Sequence, residues 1–313
     1  MKSDRRNFLK NAVGASAAFL AAPAFASSSH TAGRRGKISA AEKPFRLKYA
    51  PYLDMFQEHA GKDPLSNISF CADMGFRAVF DNGLPGRPVE EQNKIAALVQ
   101  KLGMELGPFV LYADFAVTSF VISTPEVRQM LTAKMKEGIE LSKRTGAKWA
   151  LVVPGHYDDK LHHDFQTANV VENLRLCCDI VEPAGLTMVI EPLNTLHDHP
   201  GLFLTGIPQA YQICRAVNRP SCKIVEDIYH QQITEGNIIP NIDAAWSEIA
   251  ALHVGDNPGR QEPGTGEINF RNIFKHIHDK GYQGVLCMEH GKSLSGKEGE
   301  VRLIEAYRDA DNF

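Results

Sequence analysis

The chain has 313 residues, 43% of them hydrophobic, so it can bury one large core. Its 34 basic and 37 acidic side chains leave a net charge of -3 at pH 7, which excludes a strong overall attraction to nucleic acid or to an anionic membrane. Six cysteines form no CxxC pair and most lie in apolar runs, which favours buried thiols over a disulfide framework.

The first 26 residues have the pattern of an export signal. Arg5 and Arg6 precede an apolar stretch that ends in the small-x-small pattern Ala-Phe-Ala at 24–26. This stretch is too short and too rich in alanine for a stable membrane span, which needs about 20 strongly apolar residues. We interpret 1–26 as a signal of the twin-arginine type and expect an exported, periplasmic protein. An ordinary secretory signal is the alternative, because Asp4 stands where twin-arginine signals prefer Ser or Thr.

One domain is predicted at 44–313, after a flexible linker at 27–43 that is rich in Ser, Ala, Gly and Lys. Short apolar runs alternate in it with longer amphipathic segments, for example 88–102, 125–145 and 167–184. Continuous apolar runs of this length are typical of parallel strands that are buried on both faces. Eight strands are predicted, at 46–50, 77–80, 104–110, 148–153, 186–191, 222–227, 249–254 and 284–289.

Eight strand–helix units in about 250 residues predict an α/β fold, a single (β/α)8 TIM barrel. A doubly wound open sheet is the alternative, but no glycine-rich phosphate-binding motif follows an early strand. Glycine at the end of a helix adopts the left-handed conformation and lets the chain turn into the next strand. Five strands have such a glycine shortly before them, namely Gly75, Gly103, Gly146, Gly185 and Gly281.

Each of the last four predicted strands ends on or next to a residue whose side chain can bind a metal, namely Glu191, Asp227, His253 and Glu289. In a barrel of this kind the active site lies at the C-terminal ends of the strands, where these four side chains would converge. Three carboxylates at the mouth of an apolar barrel repel one another unless a cation lies among them. Three carboxylates and one imidazole favour one Mn²⁺, Mg²⁺ or Co²⁺ ion, with Zn²⁺ as the alternative.

Other polar residues follow the strand ends and are candidate substrate contacts. His230 and His156 come directly after the sixth and fourth strands, and Arg260 stands in a Pro-Gly turn. A guanidinium there can bind a substrate carboxylate, and Glu262 is expected to orient Arg260 or His230. The alternatives are a solvent-exposed loop histidine for His230, a loop ion pair for Arg260 and an ordinary hydrogen bond for His156. The acidic and histidine-rich segment 158–164 is interpreted as a solvated helix start.

Residues around these strand ends resemble the metal site of the xylose-isomerase-like barrel superfamily of sugar phosphate isomerases and epimerases. The ligand order Glu, Asp, His, Glu is the same, and the separations along the chain are similar. The resemblance extends from about residue 45 to the end of the chain. It is carried by Glu191-Pro-Leu-Asn194, Asp227-x-x-His230, His253 and Met288-Glu289.

The resemblance implies a metal-dependent isomerase that moves a proton α to a carbonyl through an enediolate. Glu191 and Glu289 would then be both metal ligands and proton-transfer groups, whereas Asp227 and His253 would be ligands only. A cation acidifies such a proton and stabilises the developing oxyanion. Two carboxylates on opposite sides of the substrate can act as base and acid.

The segment 258–269, with Pro-Gly-Arg-x-Glu-Pro and Thr-Gly-Glu-Ile-Asn, is most similar to hydroxypyruvate isomerases, which interconvert hydroxypyruvate and tartronate semialdehyde. Many of those enzymes carry glutamine where His253 stands, so a ketose 3-epimerase acting on a free sugar is the alternative. A metal-dependent lyase or endonuclease and a non-catalytic sugar-binding barrel are alternatives of other classes. The endonuclease would need further metal ligands and a basic groove. The expected partner is therefore a small hydroxy-carbonyl compound or sugar, and a homo-oligomer is compatible with the sequence.

Overall fold

The computed structural model describes residues 43–313, so the predicted export signal at 1–26 and all but the end of the linker lie outside the described residues. Nine parallel strands are found within this range. They are β1 (Lys48–Ala50), β2 (Ala78–Val79), β3 (Glu105–Leu106), β4 (Phe109–Tyr112), β5 (Trp149–Val152), β6 (Thr187–Ile190), β7 (Cys222–Asp227), β8 (Ile249–Val254) and β9 (Val285–Met288).

Helices alternate with the strands, and the amphipathic segments predicted at 88–102, 125–145 and 167–184 are helical. The longest helix begins after Thr124, whose hydroxyl accepts a hydrogen bond from Val127 N, and ends at the left-handed Gly146. The α-helices are α1 (Gln57–Ala60), α2 (Pro64–Asp73), α3 (Val89–Lys101), α4 (Pro125–Thr145), α5 (His163–Val181), α6 (Ile207–Val217), α7 (Ile228–Thr234), α8 (Ile238–Ala245), α9 (Phe270–Asp279) and α10 (Gly296–Ala310). Short 3₁₀ helices span Leu84–Gly86, Glu182–Ala184 and Trp246–Glu248.

The strands form a curled α/β barrel, as the sequence predicts. Seven of them make one sheet in the order β1-β9-β8-β7-β6-β5-β4, and β2 pairs with β3. A bridge between Tyr52 and Phe80 places β2 beside β1, and Val110 N donates a hydrogen bond to Asn82 O on the other side. The β2–β3 pair therefore occupies the space between the two edges of the seven-stranded sheet.

The single strand predicted at 104–110 is divided into β3 and β4 by Gly107 and Pro108. Proline has no N–H to donate to a neighbouring strand, so it interrupts the ladder. Gly107 also approaches the barrel interior closely, because a Cβ there would lie 2.7 Å from Phe80 Cβ and 2.8 Å from Cys287 Sγ. The division was not predicted, although Pro108 was a local signal for it.

Two apolar layers surround the sheet, and the inner one supports the candidate site. The larger layer lies between the strands and the helices, and the smaller one fills the barrel interior. Val189, Val225, Ala251 and Cys287 belong to the interior layer. Side chains alternate along a strand, so the residue two positions later faces the same way. Those residues are Glu191, Asp227, His253 and Glu289, which places all four above the apolar interior.

All six cysteines are buried free thiols, as predicted. Among residues 43–313 no helix has the length and apolarity that a membrane crossing requires.

Candidate metal centre and active site

Four predicted ligands converge at the C-terminal end of the barrel. Glu191, Asp227, His253 and Glu289 each offer an atom, and these atoms all lie within 4.8 Å of one another. His253 Nδ1 lies 2.8 Å from Glu289 Oε2, 3.1 Å from Glu191 Oε1 and 3.8 Å from Asp227 Oδ2. No second group of this kind occurs in the described part of the chain, so the segment 158–164 does not form one.

Burial and the interactions of His253 with the carboxylates determine the protonation of this group in the absence of a cation. Burial raises the pKa of Glu191 to about 7, although His253 opposes this shift. Burial also disfavours the charged forms of Glu289 and His253, but their mutual attraction prevails. It holds the pKa of Glu289 well below its ordinary value and that of His253 well above. Protons thus supply the positive charge that three adjacent carboxylates require.

The donor set fits a divalent cation. Three carboxylates and an imidazole nitrogen are hard or intermediate ligands, and they surround one point in a site from which water is largely excluded. Asp227 and His253 are held in adjacent strands, whose register pairs these two residues directly. Glu191 and Glu289 follow β6 and β9, so the group spans four neighbouring strands of the barrel.

Metal binding is expected to weaken as the pH falls. With a pKa of about 7, Glu191 is protonated below that pH in the metal-free protein, and His253 with its raised pKa carries a second proton. A cation must displace both protons, so affinity should fall by about tenfold per pH unit for each proton displaced. Calorimetric titration at pH 6 and pH 8, in buffers of different ionisation enthalpy, measures the affinity and the released protons. Equal affinity at both pH values without proton release would contradict the expectation.

Tyr52 and Asn82, of which the sequence did not single out Asn82, hold Glu289 in place. Asn82 Nδ2 lies 2.6 Å from Glu289 Oε1, and Tyr52 Oη lies 3.2 Å from the same oxygen. Asn82 Nδ2 also donates to Tyr52 Oη at 3.0 Å. Phe80 packs in the barrel interior, and Asn82 comes two residues later. Strand alternation was therefore the available signal for an inward-pointing Asn82.

Arg260 lies beside the four ligands. Its Nη2 is 3.0 Å from Glu289 Oε2 and 3.4 Å from Asp227 Oδ2, and its guanidinium lies 4.8 Å from the centre of the Tyr229 ring. The backbone of Arg260 is left-handed, with φ of 49°. The arginine predicted for substrate binding thus reaches the centre.

Asp256, which the sequence did not single out, organises the loop that carries Arg260. Its buried carboxylate accepts hydrogen bonds from the backbone N–H groups of Gly264 at 2.8 Å, Gly266 at 2.9 Å and Ile268 at 3.1 Å. Gly266 is required there, because a Cβ would lie 2.2 Å from the carbonyl oxygen of Asn257.

His230 is also at the centre, buried one turn beyond the end of β7. Its backbone N–H donates to Asp227 Oδ1 at 3.0 Å, and its Nε2 lies 3.9 Å from Asp227 Oδ2. Burial lowers the pKa of His230.

His156 and Glu262 have contacts of their own in the structure, and the substrate contact expected of His156 stays a prediction. His156 Nδ1 lies 2.8 Å from Tyr157 O, and its ring packs under Gly201, where a Cβ would lie 1.9 Å from its Nε2. Glu262 is fully buried and accepts hydrogen bonds from the backbone N–H of Ser293, at 2.9 Å, and from its hydroxyl. Glu262 thus joins two loops of the rim, and its carboxylate contacts Ser293 where Arg260 or His230 was expected.

Known proteins that are similar to this chain share its barrel architecture. The family model described as xylose isomerase-like TIM barrel matches residues 68–309. The crystal structure of an AP endonuclease of family 2 from Brucella melitensis superposes with a TM-score of 0.70 and 21% identity, covering 81% of this chain and 96% of that one. This likeness concerns the fold.

Two curated relatives carry isomerase names. The hydroxypyruvate isomerase of Escherichia coli (strain K12) is 38% identical over 141 residues, which are 45% of this chain and 54% of that protein. The 2-oxo-tetronate isomerase of Pectobacterium atrosepticum is 24% identical over 252 residues, 80% of this chain and 90% of that protein. The chain thus spans about half the length of the E. coli relative and most of the P. atrosepticum relative.

Proposed function

We infer the function from the premise that the chain belongs to the xylose isomerase-like TIM barrel family, whose model spans residues 68–309. The protein is an isomerase that interconverts the aldehyde and ketone forms of a small hydroxy-carbonyl compound, with hydroxypyruvate and tartronate semialdehyde as the substrate pair. The observation that supports this proposal is that Glu191 and Glu289 both lie within hydrogen-bonding distance of His253 Nδ1, in a group of four side chains whose atoms lie close enough to hold one divalent ion. The relatives named hydroxypyruvate isomerase and 2-oxo-tetronate isomerase support this choice.

A divalent ion held by Glu191, Asp227, His253 and Glu289 would polarise the carbonyl and hydroxyl groups of the substrate. It would thereby acidify the proton on the carbon that carries the hydroxyl group. Isomerisation then requires one group to remove a proton from carbon and another to return it to the adjacent carbon. We assign these two roles to Glu191 and Glu289. Glu289 follows β9 and Glu191 follows β6, so the two carboxylates come from strands that are separated by β7 and β8.

Arg260 provides a recognition element for a substrate carboxylate. Its pKa lies above the ordinary value, because the attraction of Asp227 and Glu289 outweighs burial, so it stays charged. A guanidinium can bind a carboxylate through two parallel hydrogen bonds. Hydroxypyruvate carries a carboxylate, whereas a free ketose does not. His253 favours the second candidate, an epimerase of a free ketose, because many hydroxypyruvate isomerases have glutamine at this position.

Replacing Arg260 by glutamine distinguishes the two substrates. If the substrate is hydroxypyruvate, we expect kcat/KM to fall by roughly 10–150-fold, the value of a charge-assisted hydrogen bond of about 1.5–3 kcal/mol. Turnover of hydroxypyruvate and of a panel of free ketoses would be followed by NMR. Arg128→Gln on the exposed face of α4 is the matched control. If the wild-type protein turns over a free ketose but not hydroxypyruvate, the assignment as a hydroxypyruvate isomerase is overturned in favour of the epimerase.

We also propose that the protein acts after export through the twin-arginine route, on the evidence of Arg5, Arg6 and the apolar stretch that follows. Replacing both arginines by lysine keeps the charge and should retain the protein inside the cell. Immunodetection in periplasmic and cytoplasmic fractions measures the distribution. An unchanged periplasmic fraction would point to the ordinary secretory route.

A further inference from the structure

Asn194, in the loop after β6, has a side-chain orientation that its neighbours determine. Its Oδ1 accepts hydrogen bonds from the backbone N–H groups of His197 at 3.0 Å and Asp198 at 3.3 Å. Its Nδ2 donates to Asp198 Oδ2 at 2.7 Å. An inverted carboxamide would set its N–H groups against two backbone donors and its oxygen against a carboxylate. Only the observed orientation satisfies all three contacts.

This orientation determines the hydrogen-bonding role of one nitrogen of His230. Nδ1 of His230 lies 2.6 Å from Asn194 Nδ2 and 3.3 Å from the Asn194 backbone nitrogen. Both nitrogens of Asn194 are donors and cannot accept a hydrogen bond. Nδ1 must therefore accept, which means that it carries no proton. A flipped ring would place a C–H group against the same two donors, so the ring orientation is determined as well.

A neutral imidazole has one proton, so that proton is on Nε2 of His230. This Nε2 is buried and has no hydrogen-bond partner among the described residues. It lies 3.9 Å from Asp227 Oδ2 and thus points at the metal centre. A buried donor without a partner costs about 1–3 kcal/mol, which indicates that its partner is a molecule bound at the site.

We propose that Asn194 is a positioning residue that holds His230 as the Nε2–H tautomer, so that His230 donates a hydrogen bond to a substrate oxygen at the metal centre. A protonated Nε2 cannot coordinate a cation, which agrees with the absence of His230 from the group of four predicted ligands. The tautomer follows from the contacts of Asn194 alone. The substrate contact rests on the proposed function, so the two parts are tested by separate measurements.

An exchange of amide and carboxylate tests the role of Asn194. The double variant Asn194→Asp/Asp198→Asn conserves net charge and the number of hydrogen-bonding groups, but it sets a carboxylate oxygen against His230 Nδ1. The ring should then move its proton to Nδ1. The matched control is the single variant Asp198→Asn, which leaves the carboxamide of Asn194 in place and should keep the proton on Nε2.

The first readout is ¹⁵N NMR of the full chain labelled at histidine, metal-free and with Mg²⁺. The signals of His230 are identified by their loss in His230→Gln. We expect a protonated Nε2 in the wild type and in Asp198→Asn, and a protonated Nδ1 in the double variant. A wild-type His230 protonated at Nδ1 would overturn the inference. That spectrum needs no variant at position 194, so the answer does not depend on the folding of the double variant.

The second readout is kinetic and uses the substrate that the wild type turns over. Relative to Asp198→Asn, the double variant should lose about 100-fold in kcat with KM changed only a few-fold, as for the loss of one donor to a developing oxyanion. If NMR shows the proton on Nδ1 in the double variant but its kcat equals that of Asp198→Asn, the role of His230 as a donor is refuted. A wild type without turnover on any substrate would count against the proposed function, while the NMR result would still decide the tautomer.

Discussion

Replacing Glu191 by glutamine is expected to lower turnover by roughly 10³-fold or more while the protein still binds its metal. Glutamine keeps a ligating oxygen but cannot accept a proton from carbon. The only side-chain contact of Glu191 found among the described residues is with His253 Nδ1, at 3.1 Å. The amide is therefore free to turn its oxygen towards the cation. Calorimetry measures metal affinity, and steady-state kinetics measures turnover.

The corresponding variant of Glu289 should behave differently. Asn82 donates to Glu289 Oε1, whereas Oε2 faces His253 and Arg260. Donors lie at both oxygens of Glu289, so in Glu289→Gln the amide NH₂ must replace the acceptor of either Asn82 or Arg260. We therefore expect this variant to lose metal affinity as well as turnover. Glu137→Gln, on the exposed surface of α4, is the control for both variants. Turnover by Glu191→Gln within tenfold of wild type would remove Glu191 from the mechanism.

Replacing His253 by alanine is expected to destabilise the metal-free protein by about 3–5 kcal/mol, the cost of leaving buried charges without their partner. His253 is fully buried, and its raised pKa makes it the positive charge between Glu191 and Glu289. A metal at one hundred times its Kd should stabilise the wild type by about 2.7 kcal/mol, and this gain should disappear in the variant.

Urea unfolding with and without Mn²⁺ measures both effects. His278→Ala on the exposed side of α9 is the control and should keep the gain from metal. Equal stabilisation of wild type and His253→Ala by Mn²⁺ would show that the cation binds elsewhere.

The convergence of the four ligands was predictable from local patterns. Strand ends are visible where an apolar run stops, and in a barrel of parallel strands those ends meet at one rim. Glu191, Asp227, His253 and Glu289 each follow an apolar interior residue by two positions. Alternation along the strand then decides that all four side chains face the same space.

The residues that orient the ligands were not predictable in the same way. Asn82 and Glu289 are 207 positions apart, and their hydrogen bond depends on the β2–β3 pair lying between β1 and β4. Glu262 was expected to orient Arg260 or His230, but in the folded loop its carboxylate contacts Ser293 instead. Asn194 is part of a visible motif, yet its role depends on the side-chain contacts it makes in the folded loop.

Proton exchange that depends on the metal is the most direct test of the proposed isomerase. The purified protein would be stripped with a chelator, restored singly with Mn²⁺, Mg²⁺, Co²⁺ or Zn²⁺, and incubated in D₂O with hydroxypyruvate or free ketoses. We expect no turnover by the stripped protein. Restoration should bring turnover with deuterium entering from solvent at the carbon next to the carbonyl. Stoichiometric metal binding with neither turnover nor deuterium exchange on any substrate would contradict an isomerase and favour a lyase or a sugar-binding barrel.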